Sequence, residues 1–410
     1  MGALLFDADG DGDNDLYVVS GGSGLPPGNA FYSDRLYIND GKGQFAIDKN
    51  ALPDERVCGS QVTAADFDKD GDLDLFVCGR VSLENYPMPP RSFLLRNDSK
   101  ASDIRFTDVT SLISKDLEKP GLLASALWTD FNCDGWPDLI LAGEWMPLTF
   151  YKNDRGKLTN VTAATGLDIY TGWWNSISAC DFDKDGDIDY AAGNLGLNTQ
   201  YKVSQEEPMR IIAKDFDRNG SLDPICTYFV QGKSYPIYHR NLLLSQIPSL
   251  KNKFKTYGEY ARATFDDIFP ATDVADAYIR DCRFSESAWI ENIGDGTFKM
   301  HSLPVEAQIS QVFGILSGDY NSDANPDILL TGNSYSSNVF TGQYDALIGL
   351  LLEGDGKGGF AAVPGRESGF FADGDAKGIA ELTLKDGSSI VLVARNSDSL
   401  KVIRTLKNPV

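Results

Sequence analysis

A nine-residue acidic loop that occurs six times, with a short apolar segment after each copy, predicts an all-β chain folded as a β-propeller. The loop has an oxygen-bearing side chain at positions 1, 3, 5 and 9, as in DADGDGDND at 7–15. The segment that follows, such as LYVVSGG, is short, partly β-branched and ends in glycine, as expected of a buried strand. A second turn rich in Asn, Asp and Gly recurs after the loops, so a typical repeat is predicted to form two hairpins of one antiparallel sheet.

The other five loops keep this spacing. They are DFDKDGDLD at 66–74, DFNCDGWPD at 130–138, DFDKDGDID at 181–189, DFDRNGSLD at 215–223 and DYNSDANPD at 319–327. Position 6 is Gly in five copies, which permits the sharp bend, whereas the sixth copy has Ala324 and is the weakest candidate.

Alternating Asp and Asn oxygens on a tightly curled loop suit Ca²⁺, a hard cation that takes six to eight oxygen ligands. An EF-hand would need a bidentate Glu at position 12, but that position is apolar in every copy, from Val18 to Leu330. Acidic turns without metal are the other alternative, which is disfavoured because the crowded carboxylates of loops one, two and four would repel one another. We therefore expect up to six Ca²⁺ ions.

The predicted ligands include position 7, which would offer its backbone carbonyl. In the first three loops they are Asp7, Asp9, Asp11, Asp13, Asp15, Asp66, Asp68, Asp70, Asp72, Asp74, Asp130, Asn132, Asp134, Trp136 and Asp138. In the last three they are Asp181, Asp183, Asp185, Asp187, Asp189, Asp215, Asp217, Asn219, Ser221, Asp223, Asp319, Asn321, Asp323, Asn325 and Asp327.

Charge and composition narrow the class of protein. The formal net charge is −22, and the six loops alone hold 24 Asp against three basic residues. The acidity thus points to metal, and nucleic-acid binding is disfavoured because the chain lacks a basic stripe. No run of 18 apolar residues is present, so no membrane-spanning segment is expected.

The repeats predict one propeller domain over residues 1–410. Six units start at the acidic loops, and a seventh, without ligands, is formed by AKGIAELTL (376–384), SSIVLVARN (388–396) and LKVIRTL (400–406). Seven blades are favoured; six is the alternative, because the step of 34 residues between the loops at 181 and 215 is too short for four strands.

Residues 232–287 carry helical apolar spacing and are expected to form a mostly helical insertion. The aromatic residues at loop position 2, such as Phe67, are expected to pack between blades.

The loops and their flanking strands resemble FG-GAP/VCBS repeats, the Ca²⁺-bearing propeller units also found in the integrin α-chain head. More narrowly, GEWMPL (143–148), GNLGLNTQY (193–201), TGQYDA (341–346) and GDAKGIA (374–380) resemble the C-terminal propeller of large Bacteroidetes VCBS-repeat proteins related to the ASPIC/UnbV group. The resemblance implies an extracytoplasmic place, secreted or at the cell surface, and a role in adhesion or nutrient capture. It defines no substrate.

A ligand is expected on the face opposite the metal loops, where the links between second and third strands project. These links are long and rich in aromatic and amide groups, which suit a glycan or a protein ligand. The candidates are Tyr32, Arg35, Tyr86, Arg91, Glu144, Trp145, Asn194, Asn198, Tyr201, Tyr335, Tyr344 and Asp345. The alternative is that these residues only order the loops.

A carbohydrate-active enzyme, either a carboxylate-based glycosidase or a metal-assisted lyase, is the rival class. It is disfavoured because His occurs only at His239 and His301, the usual nucleophile motifs are missing, and much of the Asp belongs to the loops. We therefore expect a binding module and no catalytic residues. The first loop lies so near Met1 that the sequence is expected to be part of a longer exported polypeptide.

Overall fold

Seven antiparallel sheets make up the structure, a computed structural model that describes residues 2–22, 24–82, 84–100, 103–337 and 341–404. Sheet 1 contains β1 (Ala3–Phe6), β2 (Asp15–Val18), β3 (Arg35–Asn39) and β4 (Phe45–Asp48). Sheet 2 contains β5 (Cys58–Ala65), β6 (Asp74–Val81), β7 (Phe93–Asn97) and β8 (Phe106–Asp108). Sheet 3 contains β9 (Leu122–Thr129), β10 (Asp138–Met146), β11 (Thr149–Asp154), β12 (Lys157–Asn160) and the short β13 (Gly172–Trp173).

The chain then starts sheet 4 with β14 (Ser176–Cys180) and β15 (Asp189–Gly193) and leaves it. An inserted sheet follows, made of β16 (Met209–Lys214), β17 (Asp223–Val230), β18 (Lys233–Pro236) and β19 (Tyr278–Cys282). Sheet 4 is completed by β20 (Ala288–Asn292) and β21 (Phe298–Ser302). Sheet 5 contains β22 (Val312–Gly318), β23 (Asp327–Gly332), β24 (Leu350–Gly354) and β25 (Phe360–Val363), and sheet 6 contains β26 (Ala376–Thr383), β27 (Ser389–Arg395) and β28 (Lys401–Arg404).

Helices are short and lie in the connections. They are α1 (Thr110–Ile113), α2 (Thr162–Thr165), α3 (Arg240–Gln246), α4 (Tyr257–Arg262), α5 (Phe265–Ile268), α6 (Ala271–Val274) and α7 (Gly365–Ser368), with 3₁₀ turns at Ala30–Tyr32, Lys115–Glu118, Pro248–Asn252 and Val305–Gln308.

Each acidic loop joins two antiparallel strands, as the sequence predicts, and no EF-hand helix flanks a loop in the described residues. Loop position 9 is always the first residue of the second strand. The three strands of the ligand-free last unit are confirmed in sheet 6, although residues 405 and 406 lie outside the described part of the chain. The sheets have the arrangement of a β-propeller, because the first strands β1, β5, β9, β14, β22 and β26 neighbour one another in that order.

Five apolar clusters join the six sheets in series. Each lies between consecutive sheets, and the position 2 side chains take part as predicted, with Phe67 between sheets 2 and 3, Phe131 between sheets 3 and 4, and Phe182 between sheets 4 and 5. Burial of such apolar surface, at about 25 cal/mol per Å², holds neighbouring sheets together.

The inserted sheet corrects the predicted course of the chain. Strands β15 and β20 pair directly, with Tyr190 opposite Ile290, so the whole stretch 194–287 is an excursion from sheet 4. The loop at 215–223 therefore belongs to the inserted sheet, and seven radial blades are not confirmed. Within the predicted insertion at 232–287, the helices are confined to 240–274, because both ends are the strands β18 and β19 that pair with β17 and β16.

Candidate metal-binding loops and the opposite face

The first carboxylate of each loop curls the backbone around itself. In loop two, Asp66 Oδ1 accepts from the Asp70 amide at 3.1 Å and Oδ2 from the Gly71 amide at 3.1 Å. The bond to position 6 recurs in all six loops, including the one to Ala324 at 3.0 Å. Position 6 has a left-handed backbone, with φ of 104° at Gly71 and 68° at Ala324, so the alanine carries strain of about 1 kcal/mol that the glycines avoid.

Four loops bring three carboxylates to one point. Their members, whose ligand oxygens lie within 4.8 Å of one another, are Asp7, Asp9 and Asp15; Asp66, Asp68 and Asp70; Asp181, Asp183 and Asp189; and Asp215, Asp217 and Asp223. Loops three and six have Asn132 and Asn321 at position 3, and they form no such three-carboxylate group in the described residues. An amide thus replaces the position 3 carboxylate in these two loops, which makes them the weaker candidate sites.

Some carboxylate oxygens of the loops have no partner in the protein. Asp13 Oδ1, Asp68 Oδ1 and Asp181 Oδ1 are shielded from solvent and form no hydrogen bond, although buried polar atoms are nearly always paired. A cation held by the neighbouring carboxylates would satisfy them. The donor set, all carboxylate, amide and carbonyl oxygen, fits a hard cation such as Ca²⁺.

Position 7 behaves as its variable side chain predicts. Its amide donates to the position 5 side chain, as Trp136 does to Asp134 Oδ1 at 3.0 Å, and this closes the last turn of the loop. The Trp136 ring itself lies outside this bonding and packs under Lys69 Nζ, 4.5 Å from the ring centroid. The side chain at position 7 is thus free to vary.

The position 9 carboxylate is a structural anchor as well as a candidate ligand. Asp138 Oδ2 accepts from the Phe131 amide at 3.2 Å, and its Oδ1 accepts from the Asn153 amide at 2.7 Å, so it ties the loop to the third strand. Asp15, Asp74 and Asp189 make the same pair of bonds with their own loops and third strands. Burial raises the pKa of Asp74 and Asp138 to about 7 and that of Asp189 to about 6, because the apoprotein holds these charges away from water.

In sheets 2, 3 and 4, an asparagine at the end of the third strand links the acidic loop of its own sheet to the loop of the preceding sheet. Asn97 Nδ2 donates to the Ala8 carbonyl at 3.1 Å, Asn153 Nδ2 to the Phe67 carbonyl at 2.8 Å, and Asn292 Nδ2 to the Phe131 carbonyl at 2.9 Å. We call this side chain the latch asparagine. It fixes one sheet to the next at the edge where the acidic loops lie.

The second strands lead from the acidic loops to the opposite face. Strand β6 has eight residues, so its far end at Arg80 and Val81 lies about 25 Å from Asp74. Glu144, near the end of β10, forms an ion pair with Arg80 across neighbouring sheets, and both groups are partly exposed. Arg91 pairs with Asp108 at 2.6 Å and lies over the Phe93 ring.

Two of the predicted ligand-binding residues are buried and support their own loops. The Tyr32 hydroxyl donates to the Leu25 carbonyl at 2.8 Å, and Asn194 accepts from the Trp173 and Leu195 amides while donating to the Phe284 carbonyl. These side chains do not reach the surface, because the polar groups of a long loop must satisfy its own backbone.

The structure does bring Tyr86, Trp145 and Tyr201 together, but in one apolar cluster with Met209 and Ile211 of the inserted sheet. Trp145 is buried; its Nε1 donates to the Tyr86 hydroxyl at 3.1 Å, and its ring meets Trp173 edge to face at 5.1 Å. These aromatic residues therefore seat the inserted sheet on sheet 3.

The remaining candidates form a polar surface between two links. The Tyr344 hydroxyl is 3.2 Å from Thr199 Oγ1, and Asn198 Nδ2 donates to the Ile309 carbonyl at 3.0 Å. Tyr335 and Asp345 are exposed beside this contact. We call Asn198, Tyr335, Tyr344 and Asp345 the link surface. Arg35 is also exposed, at the start of β3 in sheet 1.

Comparison with known proteins agrees with the loop geometry. A family model described as an FG-GAP-like repeat matches residues 7–77 and 130–192, which contain loops one to four. These two stretches are therefore similar to FG-GAP-like repeats. The narrower likeness to Bacteroidetes VCBS-repeat proteins has no counterpart in these matches.

Cartilage acidic protein 1 of Xenopus tropicalis is 22% identical to the chain over 259 residues, which is 54% of this chain and 38% of that relative. The aligned part thus spans well under half of the relative's length.

Among solved structures, the exotype rhamnogalacturonan lyase YesX overlaps 97% of the chain and 54% of its own, with a TM-score of 0.41 and 12% identity. The exo-β-1,3-galactanase 1,3Gal43A of Clostridium thermocellum overlaps 99% and 72%, with 0.37 and 11%. The V. cholerae biofilm matrix protein Bap1 overlaps 99% and 77%, with 0.34 and 10%. With TM-scores below 0.5, these proteins resemble the chain only in general outline.

Sequence reasoning missed the latch asparagines, Arg80 and Trp173. The latch had a visible signal, because Asn39, Asn97, Asn153 and Asn292 all stand at the start of the second turn of their repeats. Arg80 and Trp173 had none, since their partners are distant in sequence. No helix among the described residues is long and apolar enough to cross a membrane.

Proposed function

We propose that this chain is a calcium-stabilised, extracytoplasmic propeller that binds a glycan or protein ligand on the face opposite its acidic loops. The calcium part is supported above all by Asp68 Oδ1 and Asp181 Oδ1, which are shielded from solvent without a partner inside three-carboxylate groups. A bound cation would pair these oxygens and neutralise the repulsion between the carboxylates.

The chemistry of the loops supports the proposed extracytoplasmic place. Extracellular calcium modules function with affinities as weak as about 10⁻⁴ to 10⁻³ M, and FG-GAP-like loops of this exposed type need no tighter binding where calcium is abundant.

The ligand-binding part rests on the link surface. It combines exposed aromatic, amide and carboxylate groups of Tyr335, Asn198 and Asp345 around the Thr199–Tyr344 contact, which joins two links more than a hundred residues apart. Aromatic faces suit sugar rings or peptide side chains, and planar polar groups fix their orientation. The buried Tyr32, Trp145 and Asn194 are left out of this proposal.

Binding is favoured over catalysis because the link surface holds a single carboxylate, Asp345, and the other two carboxylates named on this face are engaged in ion pairs. Glu144 pairs with Arg80, and Asp108 pairs with Arg91. A glycosidase would need two carboxyl groups about 5 to 10 Å apart on either side of a bond. The carbohydrate-active alternative, a glycosidase or a metal-assisted lyase, predicts cleavage of a glycan, read out as new reducing ends or unsaturated products.

The test is a glycan and peptide array probed in 2 mM Ca²⁺ with the full chain and with Tyr335→Ala combined with Asp345→Ala. We expect a hit that falls at least about tenfold in the double variant, because interface aromatics carry most of the binding energy. Phe45→Ala, an exposed aromatic change at the acidic-loop end of sheet 1, is the matched control and should keep the hit. A hit that survives the double variant would move the site elsewhere, and turnover of an array glycan would favour the enzyme.

A further inference from the structure

The outer face of sheet 1 is unlike the corresponding face of the sheets that follow it. In sheets 2 to 5, the residue after loop position 9 and its partner on the third strand face the preceding sheet. These pairs, all buried, are Leu75 and Leu95, Leu139 and Tyr151, Tyr190 and Ile290, and Ile328 and Leu352. The corresponding pair in sheet 1 is Leu16 and Tyr37, and both side chains are partly exposed.

The exposed apolar surface extends across all four strands. Leu5, Leu16, Tyr37 and Ile47 are directly opposite one another in the register of sheet 1, and the outer members Leu5 and Ile47 are 53% and 44% exposed. A row of this kind is what the interior sheets bury against a neighbour. Sheet 6 does not cover it, because no hydrogen bond, ion pair or apolar cluster joins sheets 1 and 6 among the described residues.

The asparagine at the latch position of sheet 1, Asn39, indicates independently that the outer face of this sheet has no neighbouring sheet. Asn39 repeats the interactions of the other latches within its own repeat: its amide donates to Asp15 Oδ1 at 2.8 Å, its Oδ1 accepts from the Gly43 amide at 3.2 Å, and its Nδ2 donates to the Asn14 carbonyl at 3.1 Å. Asn153 makes the same three kinds of bond, with Asp138, Gly156 and Pro137, and adds a fourth to the Phe67 carbonyl of the preceding loop.

The asparagines that bond to a preceding loop are also the more deeply buried ones. Asn97, Asn153 and Asn292, which all bond to a preceding loop, are 4%, 0% and 2% exposed, whereas Asn39 is partly exposed. Sheet 5 has an acidic loop but Gly354 in place of the asparagine, because a Cβ at this position would meet the Pro326 carbonyl oxygen at 2.1 Å. Sheet 1 therefore has a latch of the same form as the others, without a preceding loop to bond.

We propose that the outer face of sheet 1 docks a further FG-GAP-like repeat of the same polypeptide. The occupant is a four-stranded antiparallel sheet whose acidic loop presents its position 2 carbonyl to Asn39 Nδ2 and whose apolar side chains cover Leu5, Leu16, Tyr37 and Ile47. A repeat in the same chain is favoured because consecutive repeats are joined by short connectors, such as 49–57 and 109–121, which keep the next sheet at high local concentration.

The test is to add a neighbouring sheet to the outer face of sheet 1, using a repeat copied from the same chain. A copy of residues 57–125 is fused directly in front of Ala3, which keeps the natural step of 64 residues between the acidic loops at 66 and 130. In 2 mM Ca²⁺ the fused protein should melt at least about 5 °C higher than the original, because the new interface stabilises the native state. An unchanged or lower melting temperature in a folded fusion would overturn the proposal.

Asn39→Ala distinguishes docking from a general effect of the fusion. Its melting-temperature loss should be at least twice as large in the fused protein as in the original, and close to the loss from Asn153→Ala. Equal losses in both backgrounds would contradict the latch.

Hydroxyl-radical footprinting supplies a readout that does not depend on melting. Tyr37 should be labelled in the original chain and protected in the fusion, while the buried Tyr151 stays protected in both. A dimer of the original chain in light scattering that dissociates with Leu5→Glu would instead assign the face to a second copy and overturn the proposal.

Discussion

At the scale of single residues, one carboxylate in each repeat organises the backbone at two places. Asp138 holds the start of its own loop through the Phe131 amide and the end of the third strand through the Asn153 amide. The Asn153 side chain then reaches the Phe67 carbonyl of the preceding loop. A chain of hydrogen bonds thus runs from one candidate calcium site to the next, so the sites are coupled through buried polar groups.

Replacing a latch asparagine should therefore destabilise the protein far more than its size suggests. Asn153→Ala leaves the Phe67 and Pro137 carbonyls without their side-chain donor in a buried setting, at a cost of roughly 2–4 kcal/mol in the free energy of unfolding. Urea unfolding in 2 mM Ca²⁺ measures it. Asn39→Ala, whose side chain makes only bonds within its own repeat, is the control and should cost less than half as much.

Asp34 makes stability depend on pH in the unusual direction. Burial raises its pKa to about 6, even though the Ser20 amide at 2.6 Å and the Tyr17 hydroxyl at 2.8 Å donate to it. The folded state thus favours the protonated form, so this contribution to stability is full below the ordinary pKa near 4 and is lost as the pH rises through 6.

Asp34→Asn should remove that loss. Relative to the unchanged protein, the variant is expected to gain about 2 kcal/mol in the free energy of unfolding between pH 4.5 and pH 7.5, measured by urea unfolding at both values. Asp54→Asn is the control: hydrogen bonds from Arg56 and Ser33 hold the pKa of Asp54 below its usual range, so its titration lies below pH 4.5 and this variant should leave the difference between the two pH values unchanged. A pH profile that Asp34→Asn leaves unchanged would refute the assignment.

At the scale of elements, the acidic hairpin is the part of the fold that the sequence specifies most completely. Ligand spacing, Gly at position 6 and the apolar strand after Asp74 or Asp327 are all local, so the hairpins follow from the sequence directly. The course of the chain around them is not local. DFDRNGSLD at 215–223 has the same pattern as the ring loops, and only the pairing of Tyr190 with Ile290 shows that it belongs to an inserted sheet.

The candidate metal sites were predictable from the sequence because they are local, as the hairpins are. The carboxylates of loops one, two, four and five converge as their spacing predicts. The opposite face was not predictable, because polarity does not reveal burial: Tyr32 and Asn194 look like surface groups in the sequence, yet their own loops use every polar atom they carry.

Loop composition should set calcium affinity. Asp68→Ala removes a carboxylate whose Oδ1 has no other partner, whereas Asn321→Ala removes an amide from the loop that has strained Ala324. In 2 mM Ca²⁺ we expect a melting temperature about 5 °C lower for Asp68→Ala and a change under about 2 °C for Asn321→Ala. Equal shifts would show that occupancy does not follow carboxylate number.

At the scale of the whole molecule, the protein is a row of sheets fastened at both edges. Five apolar clusters lie between consecutive sheets, and the latch asparagines fasten the first three of these junctions at the end where the acidic loops lie. At the other end, the Arg80–Glu144 pair and the Trp145 cluster fasten sheets 2 and 3 and the inserted sheet.

Removal of calcium should therefore loosen the molecule globally. Chelation with EGTA is expected to lower the melting temperature by roughly ten degrees or more, because a cation that binds only the native state adds its binding free energy to stability and several sites add together. Calorimetry with and without EGTA measures the change, and Mg²⁺ at the same concentration should restore little of it, since its smaller octahedral shell fits such loops poorly. An unaltered transition would reject a structural cation.

One aspartate anchors both the second and the third strand of a sheet, and this leaves the connection between those strands free to change in evolution. Asp138 and Asp189 fix the pairing of the second and third strands at the acidic-loop end of their sheets. The connection between these strands at the opposite end is therefore not needed to fix the pairing. It is two residues long in sheet 3, at 147–148, and contains the complete inserted sheet in sheet 4, at 194–287. A sheet of this kind can accept or exchange an inserted domain at this connection and keep its own strand pairing. Protein engineers could graft domains there for the same reason.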